Sequence, residues 1–352
     1  MTNGLPVSIT KMALARQSNF ELLRILCMAG VLLNHTLQNL WNIHVPEISW
    51  DNECRIFLMN WAILAVNCFI MISGYFTIKL SWRGVVKYYL QCLFYMALFG
   101  IISAFTTHSF TPRDISNILF ACSEGNWFVR CYFALMLISP LLNAAAKVMS
   151  DNEIRIALVL IFIVDTYLGY MHQSQFVAAE GYEVLHLATV YLIGHYISRL
   201  PVKRAPWGWL LLGMLLLMTG LHMLKMHFFP ISVIYSLHYN SPCLIVASTL
   251  MFLWARTWDI QSKAINWFAG GVFAIYLIHC NPYFSPYYWQ LMKAVRDIGP
   301  WYATPLFITA VSATCFCIFV LFDKLRAQIF MSLEIRIAEA MHGITKSLFK
   351  QI

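Results

Sequence analysis

The sequence predicts an all-α, polytopic integral membrane protein with about ten transmembrane helices, both termini in the cytoplasm and an amphipathic C-terminal helix. Of its 352 residues, 60% are hydrophobic and only 11% are charged, against roughly 25% charged residues in an average soluble domain. The mean hydropathy is +0.66. A soluble fold of this size would leave too much apolar side chain in contact with water. The composition therefore excludes a soluble globule, a disordered chain and a collagen-like fibre.

Ten apolar stretches approach the roughly 20 residues that a membrane-crossing helix needs. They lie at about 20–40, 56–78, 84–106, 126–148, 154–171, 183–200, 206–228, 240–257, 265–282 and 302–323. The ninth contains Gly270 and Gly271 and stops at Pro282, which favours a broken or re-entrant span. The polar N-terminal residues precede a full-length apolar stretch, so no cleavable signal peptide is expected.

The Lys and Arg residues set the predicted orientation. Most of the 24 fall in alternate loops, which share one side of the membrane. The positive-inside rule makes this side cytoplasmic, together with both termini. The cytoplasmic Lys and Arg residues orient the spans and face anionic lipid headgroups, which explains the net charge of +8. No nucleic-acid partner is therefore predicted. The expected layout is a cytoplasmic segment at 1–19, a membrane domain at 20–323 and a cytoplasmic tail at 324–352 that lies on the inner leaflet.

The first apolar stretch contains the sharpest pair of polar residues. Arg24 and His35 are eleven residues apart, which leaves them about 20° apart around a helix axis and about 16.5 Å apart along it. A functional interpretation has Arg24 bind a phosphate or carboxylate near the cytoplasm. His35 then acts as a general base deeper in a shared tunnel. The structural alternative pairs Arg24 with Glu21 and makes His35 a packing residue.

Other polar residues give weaker signals. Asp165 has no visible partner, which favours a structural role. His186 and His195 are half a turn out of phase, so they do not form one metal site, and no metal is predicted. Cys54 and Cys122 fall in predicted external loops, where a disulfide is one alternative and two free thiols the other.

Five motifs in chain order resemble those of the bacterial membrane acyltransferase-3 family. The first is the Arg–His pair between Asn19 and His35. The others are F-x-x-x-S-G-[YF] at Phe69–Phe76, a W-F entry with an S-P-L-L ending between Asn126 and Leu142, Y-L-I-G-H-Y at Tyr191–Tyr196, and Y-L-x-H within Ala274–His279. Together they cover roughly residues 19–320.

The resemblance implies a membrane O-acyltransferase of the bacterial cytoplasmic membrane. Such an enzyme moves an acyl group from cytoplasmic acyl-CoA to a hydroxyl of a cell-surface polysaccharide or its lipid-linked precursor. Acetyl is the default acyl group and succinyl an alternative, with acetyl-CoA as a substrate and no permanently bound cofactor. His35 would be the catalytic base and Arg24 a donor-site residue. Asn34 or a neighbouring polar group would orient either the His35 ring or the reacting carbonyl. The enzyme's partners would be acyl-CoA, the glycan acceptor, the bilayer and, optionally, glycan-assembly proteins.

Further donor-site candidates follow from the resemblance. Ser73 and Tyr75 belong to the second motif. Many family members carry an R-x-x-R pair in the next loop, where this sequence has Arg83 and Lys87 four residues apart. These two either clamp CoA phosphates from one helical face or serve only as topogenic charges.

Acceptor-site candidates lie at the other predicted face. Trp127 and Arg130 begin the fourth span, where Arg130 either contacts an anionic acceptor or pairs with Glu124. His279 either contacts a substrate or is a core histidine bonded to a carbonyl. The aromatic residues at 283–302 suit a sugar-binding shelf, although an interfacial belt explains them more simply.

Two rival functions use the same residues. A transporter or flippase for a glycan or small anion also needs intramembrane Arg and His, but no internal repeat supports it. A non-catalytic scaffold would keep the fold without turnover. Consumption of acyl-CoA separates the enzyme from both.

Overall fold

The computed structural model describes residues 17–42, 49–121, 123, 125–171, 179–228, 237–300 and 302–348. These residues form helices and connecting turns, with no strand among them. The α-helices are α1 Ser18–Leu40, α2 Trp50–Ala62, α3 Leu64–Tyr75, α4 Trp82–Thr107, α5 Pro112–Leu119, α6 Trp127–Val148, α7 Asp151–Val164, α8 Val184–Arg199, α9 Trp207–Phe228, α10 Pro242–Arg256, α11 Lys263–Ala269, α12 Phe273–His279, α13 Ser285–Asp297 and α14 Thr304–Leu348.

Within the described residues, seven helical segments are long and apolar enough to cross a membrane. They are Ser18–Leu40, Trp50–Tyr75, Trp82–Thr107, Trp127–Val148, Asp151–Met171, Trp207–Phe228 and Thr304–Lys346. The other three predicted spans are helical but shorter: α8, α10 and the pair formed by α11 and α12. The all-helical membrane fold is confirmed, while the count of ten spans and the cytoplasmic termini stay predictions.

Local sequence accounts for where several helices begin. The Ser81 hydroxyl accepts from the N–H of Gly84 at the start of α4. Thr111 and Asp114 bond reciprocally in a capping box at the start of α5. Pro242 occupies the first turn of α10. The first N–H groups of a helix have no partner within the helix. The Ser and Thr caps accept from such groups, and proline has no N–H that needs a partner.

The predicted ninth span is broken at its glycines. α11 ends at Ala269 and α12 begins at Phe273, and the intervening N–H groups bond three residues back along the chain. A Cβ at Gly271 would come within 3.2 Å of Val320 in α14, so a side chain there would crowd the contact between this turn and α14. The break separates a seven-residue helix, α12, whose last residue is His279.

The structure shows two features that the sequence did not indicate. Residues of the predicted ninth loop form an additional helix, α13. The described part of the predicted tail, 324–348, continues the last span as part of α14, and its place on the inner leaflet stays a prediction. A buried charge cluster joins the two parts: the Arg326 guanidinium donates to Asp323 at 2.7 Å and to Glu334 at 2.9 Å. Gln91 and Tyr95 of α4 donate to the same Asp323 carboxylate.

Two glycines let α3 and α8 pack backbone against backbone. A Cβ at Gly74 would overlap the carbonyl oxygen of Tyr191, and one at Gly194 would overlap that of Met71. Small residues allow such close approach between membrane helices. The glycine of the S-G motif therefore serves helix packing.

We predict that Gly194→Ala lowers the melting temperature of the detergent-solubilised protein, because its new methyl group forces α3 and α8 apart. Gly213→Ala is the matched control. That glycine also lies within a helix, and its Cβ would meet nothing within 4 Å. Helix propensity alone favours alanine at both positions by about 1 kcal/mol. Equal melting temperatures for the two variants would contradict the packing role.

Candidate active site

His35 and His279 meet where α12 ends against α1. Nδ1 of His35 lies 2.9 Å from Nε2 of His279. The thiol of Cys280 lies 3.3 Å from each of these two nitrogens. His279 is fully buried, whereas His35 and Cys280 are partly exposed. His35 and His279, from separate predicted spans, thus form one cluster with Cys280, which the sequence did not single out.

A backbone carbonyl determines the protonation of the histidine pair. Nδ1 of His279 lies 2.5 Å from the carbonyl oxygen of Ile275. Because a carbonyl only accepts, this nitrogen carries the proton, and a neutral His279 then presents a bare Nε2. Nδ1 of His35 must donate to that nitrogen, which leaves the lone pair of His35 on Nε2. Nε2 of His35 bonds to none of the residues that the structure describes.

Aromatic rings enclose the buried member of the pair. The rings of Tyr276, Tyr288 and Trp289 lie 6.2 to 6.3 Å from the His279 ring. Tyr288 is only 2% exposed, although neighbouring Tyr287 is 55% exposed. Within this aromatic segment, Tyr288 and Trp289 therefore pack around the histidine pair, and Tyr287 is free to serve an interfacial belt.

Arg24 lies on the same stripe of α1 as His35, but its immediate partner is Glu21. The Arg24 guanidinium is 2.7 Å from the Glu21 carboxylate and remains about one third exposed. Met28 and Val31, between Arg24 and His35, are buried. The structure therefore shows a packed stripe where an open tunnel was expected. Access to His35 along it requires these two side chains to move.

The remaining predicted donor-site residues occupy two environments. Tyr75 stacks against Phe20 of α1, with ring centroids 4.8 Å apart. Ser73 bonds to Tyr132 of α6 at 3.2 Å. Arg83 and Lys87 are exposed in the first turns of α4.

Arg256 is a cation near the Arg24 end of α1 that the sequence analysis did not single out. Its guanidinium lies 5.3 Å from the centre of the Tyr75 ring and donates to the Leu200 carbonyl. The side chain of Asn19 in α1 bonds to the neighbouring carbonyl of Ala255, which holds the two helix ends together. Only the folded contacts reveal this proximity, because α1 and α10 are distant in sequence.

One predicted acceptor-site residue, His279, belongs to the histidine pair, whereas Trp127 and Arg130 lie at the start of α6. Trp127 packs against Tyr182 and Tyr239, and Arg130 is exposed one turn further along α6. Glu124 lies outside the described residues, as does Cys122, so the proposed pairings of both stay predictions. Asn34 is buried and accepts from the Gln38 side chain at 3.1 Å. Nδ1 of His35 faces His279 and Cys280 instead, and the alternative role of Asn34, to orient the reacting carbonyl, stays a prediction.

A cavity of about 600 Å³ opens at the Leu40 end of α1, one turn beyond His35. Its lining residues are Gln38, Asn39, Leu40, Trp41, Asn42, Lys293 and Arg296. Asn39 bonds to the His35 backbone carbonyl, which connects the cavity wall to the histidine. The Arg296 guanidinium holds the pKa of Asp297 below its ordinary value. Because Arg296 is thereby neutralised, Lys293 supplies the uncompensated positive charge of the lining.

A second buried histidine belongs to a structural network. Nδ1 of His186 lies 2.7 Å from the Asp165 carboxylate, and its Nε2 lies 3.0 Å from the Asn67 amide oxygen. Asp165 begins the π-helical segment Asp165–Met171 that continues α7. The partner that the sequence did not reveal for Asp165 is therefore His186. Both side chains are fully buried, which supports the structural role expected for Asp165.

A model of the acyltransferase-3 family, described as an acyltransferase domain, matches residues 17–324. Because the match covers most of the chain, the protein belongs to this family and is a membrane acyltransferase. The comparisons with curated proteins and with solved structures gave no match.

Proposed function

We propose that this protein transfers an acyl group, acetyl by default, from acyl-CoA to a hydroxyl of a cell-surface glycan or its lipid-linked precursor. The observation that supports this most strongly is the hydrogen-bonded series Ile275–His279–His35 in a member of an acyltransferase family. It presents a neutral imidazole with one free basic nitrogen. That is the group an alcohol needs when it attacks a thioester.

In the proposed reaction, Nε2 of His35 removes the proton from the acceptor hydroxyl as its oxygen attacks the thioester carbonyl. The carbon–sulfur bond of the tetrahedral intermediate then breaks, and the CoA sulfur leaves with the proton that His35 accepted. While His35 is cationic, its Nδ1–H remains bonded to Nε2 of His279, which stabilises the charge. His279 thus acts as a positioning residue for His35.

The donor enters from the Arg24 end of α1 in this proposal. Arg24 and Arg256 lie at that end, where guanidinium groups suit the phosphates of CoA. The pantetheine arm must then extend about 16.5 Å along α1 to place the thioester at His35. Displacement of the buried Met28 and Val31 side chains opens this path.

The acceptor enters from the opposite end, through the cavity at Leu40. His35 lies five residues before the end of α1, or about 7.5 Å along the axis, and is thus nearer to this cavity than to Arg24. Lys293 in the lining favours an anionic acceptor, such as a phosphate- or uronate-containing glycan. In the orientation predicted by the positive-inside rule, this end of α1 faces away from the cytoplasm. The proposal sets the protein in the bacterial cytoplasmic membrane, where glycan-assembly proteins are optional suppliers of the acceptor.

We predict that His35→Ala abolishes CoA release from acetyl-CoA by the purified protein in nanodiscs supplied with glycan acceptor. The loss of a general base costs about 10²–10⁴-fold in rate. His342→Ala, which changes an exposed histidine of α14, is the control with wild-type activity. The released thiol is measured with a chromogenic disulfide.

Four outcomes of that assay, together with a glycan-translocation assay in liposomes, decide between the candidate functions. Activity of the wild type and of His342→Ala alone supports the proposed transferase. Wild-type turnover that survives in His35→Ala contradicts the role of His35. A wild type that leaves acetyl-CoA intact but moves glycan across the membrane is a transporter. A wild type that neither consumes acetyl-CoA nor moves glycan, with its acceptor present, favours the scaffold.

We predict that His279→Leu lowers kcat about 10²-fold or more, because His35 loses the acceptor that keeps its proton on Nδ1. His279→Gln recovers part of this activity, since its amide oxygen also accepts from Nδ1–H. Both variants are compared with the wild type by initial rates of CoA release and by melting temperature. The positioning role would be contradicted if His279→Leu and His279→Gln lost the same fraction of kcat while both kept the wild-type melting temperature.

A further inference from the structure

The cluster at His35 offers three metal-ligand atoms that converge on one point. They are Nδ1 of His35, Nε2 of His279 and Sγ of Cys280, separated by 2.9, 3.3 and 3.3 Å. All three lie within 4.8 Å of one another, and the group is the one set of this kind among the described residues. Because the ligands come from α1 and from the end of α12, sequence spacing could not reveal the set.

The spacing is close to that of a tetrahedral zinc site. Zinc binds imidazole nitrogen at about 2.0–2.1 Å and thiolate sulfur at about 2.3 Å, which places two nitrogen ligands about 3.4 Å apart and nitrogen and sulfur about 3.6 Å apart. The pair of nitrogens must therefore separate by about 0.5 Å and each nitrogen–sulfur distance must grow by about 0.3 Å. His35 and Cys280 are partly exposed, so side-chain rotation supplies this adjustment.

One ligand already has the outer partner that metal-binding histidines need. Nδ1 of His279 donates to the Ile275 carbonyl, which keeps the lone pair of Nε2 directed at the cluster. Such a hydrogen bond orients the ring and selects the metal-binding tautomer. Tyr288 and Trp289 pack around the His279 ring and further restrict its orientation.

The donor set selects the class of metal. Two imidazoles and one thiolate suit Zn²⁺, Cd²⁺ or Cu⁺, and they suit neither Mg²⁺ nor Ca²⁺, which bind oxygen ligands. On binding, the Cys280 thiol releases its proton to water and the sulfur bonds to the metal. The His35 proton moves from Nδ1 to Nε2, so that Nδ1 can coordinate.

We propose that His35, His279 and Cys280 form an inhibitory site for a thiophilic cation such as Zn²⁺. Metal on Nδ1 of His35 places the proton on Nε2 and removes the lone pair that accepts the acceptor's proton. Binding of the metal is independent of the proposed function, whereas inhibition rests on it. The prediction that the chain holds no metal was drawn from His186 and His195, and it did not consider this cluster.

The test measures binding and activity separately. Wild-type protein in nanodiscs is titrated with Zn²⁺ against a chelating dye, and with Cd²⁺ while the ultraviolet absorption of the cadmium–thiolate bond is recorded. We expect one site per chain, and loss of CoA release over the same Zn²⁺ concentrations. Addition of EDTA restores the release. Cys280→Ser weakens Zn²⁺ binding about 100-fold, so Zn²⁺ at concentrations that inhibit the wild type leaves the variant's own rate of CoA release unchanged.

Cys243→Ser is the matched control, because Cys243, in the first turn of α10, is also a partly buried free cysteine. It keeps both Zn²⁺ binding and inhibition. Cys280→Ala is a second variant in case serine destabilises the protein, and melting temperatures show that each variant is folded. Absence of a Zn²⁺ site in the wild type overturns the proposal, as does unchanged binding in a folded Cys280 variant. Stimulation of CoA release by Zn²⁺ overturns the inhibitory role.

Failure of this inference is distinguishable from failure of the proposed function. A wild type that binds one Zn²⁺ through Cys280 but never releases CoA supports the metal site and contradicts the transferase. A wild type that releases CoA equally with and without bound Zn²⁺ retains the transferase and contradicts the inhibition.

Discussion

The hydrogen bond between Nδ1 of His35 and Nε2 of His279 is the interaction on which the candidate site depends. In an isolated neutral histidine, either ring nitrogen can carry the proton, so the position of its basic nitrogen is not fixed. The Ile275 carbonyl removes this ambiguity, because it forces the proton of His279 onto Nδ1 and thereby the proton of His35 onto Nδ1 as well. The result resembles the orienting part of a Ser–His–Asp triad, with the His279 imidazole, fixed by the Ile275 carbonyl, in the place of the carboxylate.

The fold supplies what this hydrogen bond requires. The break at Gly270 and Gly271 allows α12 to end at the depth of His35, where an unbroken span would pass by. α13 then covers the junction with Tyr288 and Trp289. The close contact of α3 with α8 at Gly74 and Gly194 packs the helices beside α1. Several motif residues thus serve the site indirectly, through packing and through the position of α12.

The sequence predicted the membrane class, most of the helices and the broken ninth span, since each depends on apolar run length and on local breakers. It also singled out His35 and His279, because an imidazole at bilayer depth has a cost that favours a functional role. Their contact was not predictable, since helices far apart in sequence meet only through tertiary packing. The same reason hid Arg256 beside Tyr75, the His186–Asp165 pair and the position of Cys280. Arg24 and His35 do lie on one stripe of α1, as their 20° separation around the helix axis predicted. That angle does not show that the buried side chains of Met28 and Val31 fill the space between them.

The protonation state of His35 tests this account most directly. Protein labelled with ¹⁵N-histidine is reconstituted in lipid at neutral pH, and His35 is identified as the difference between solid-state NMR spectra of the wild type and of His35→Ala. The account predicts that Nδ1 of His35 carries the proton and that Nε2 is bare. It also predicts that His279→Leu populates the other tautomer. A wild-type His35 protonated at Nε2, or one unaffected by the loss of His279, would contradict it.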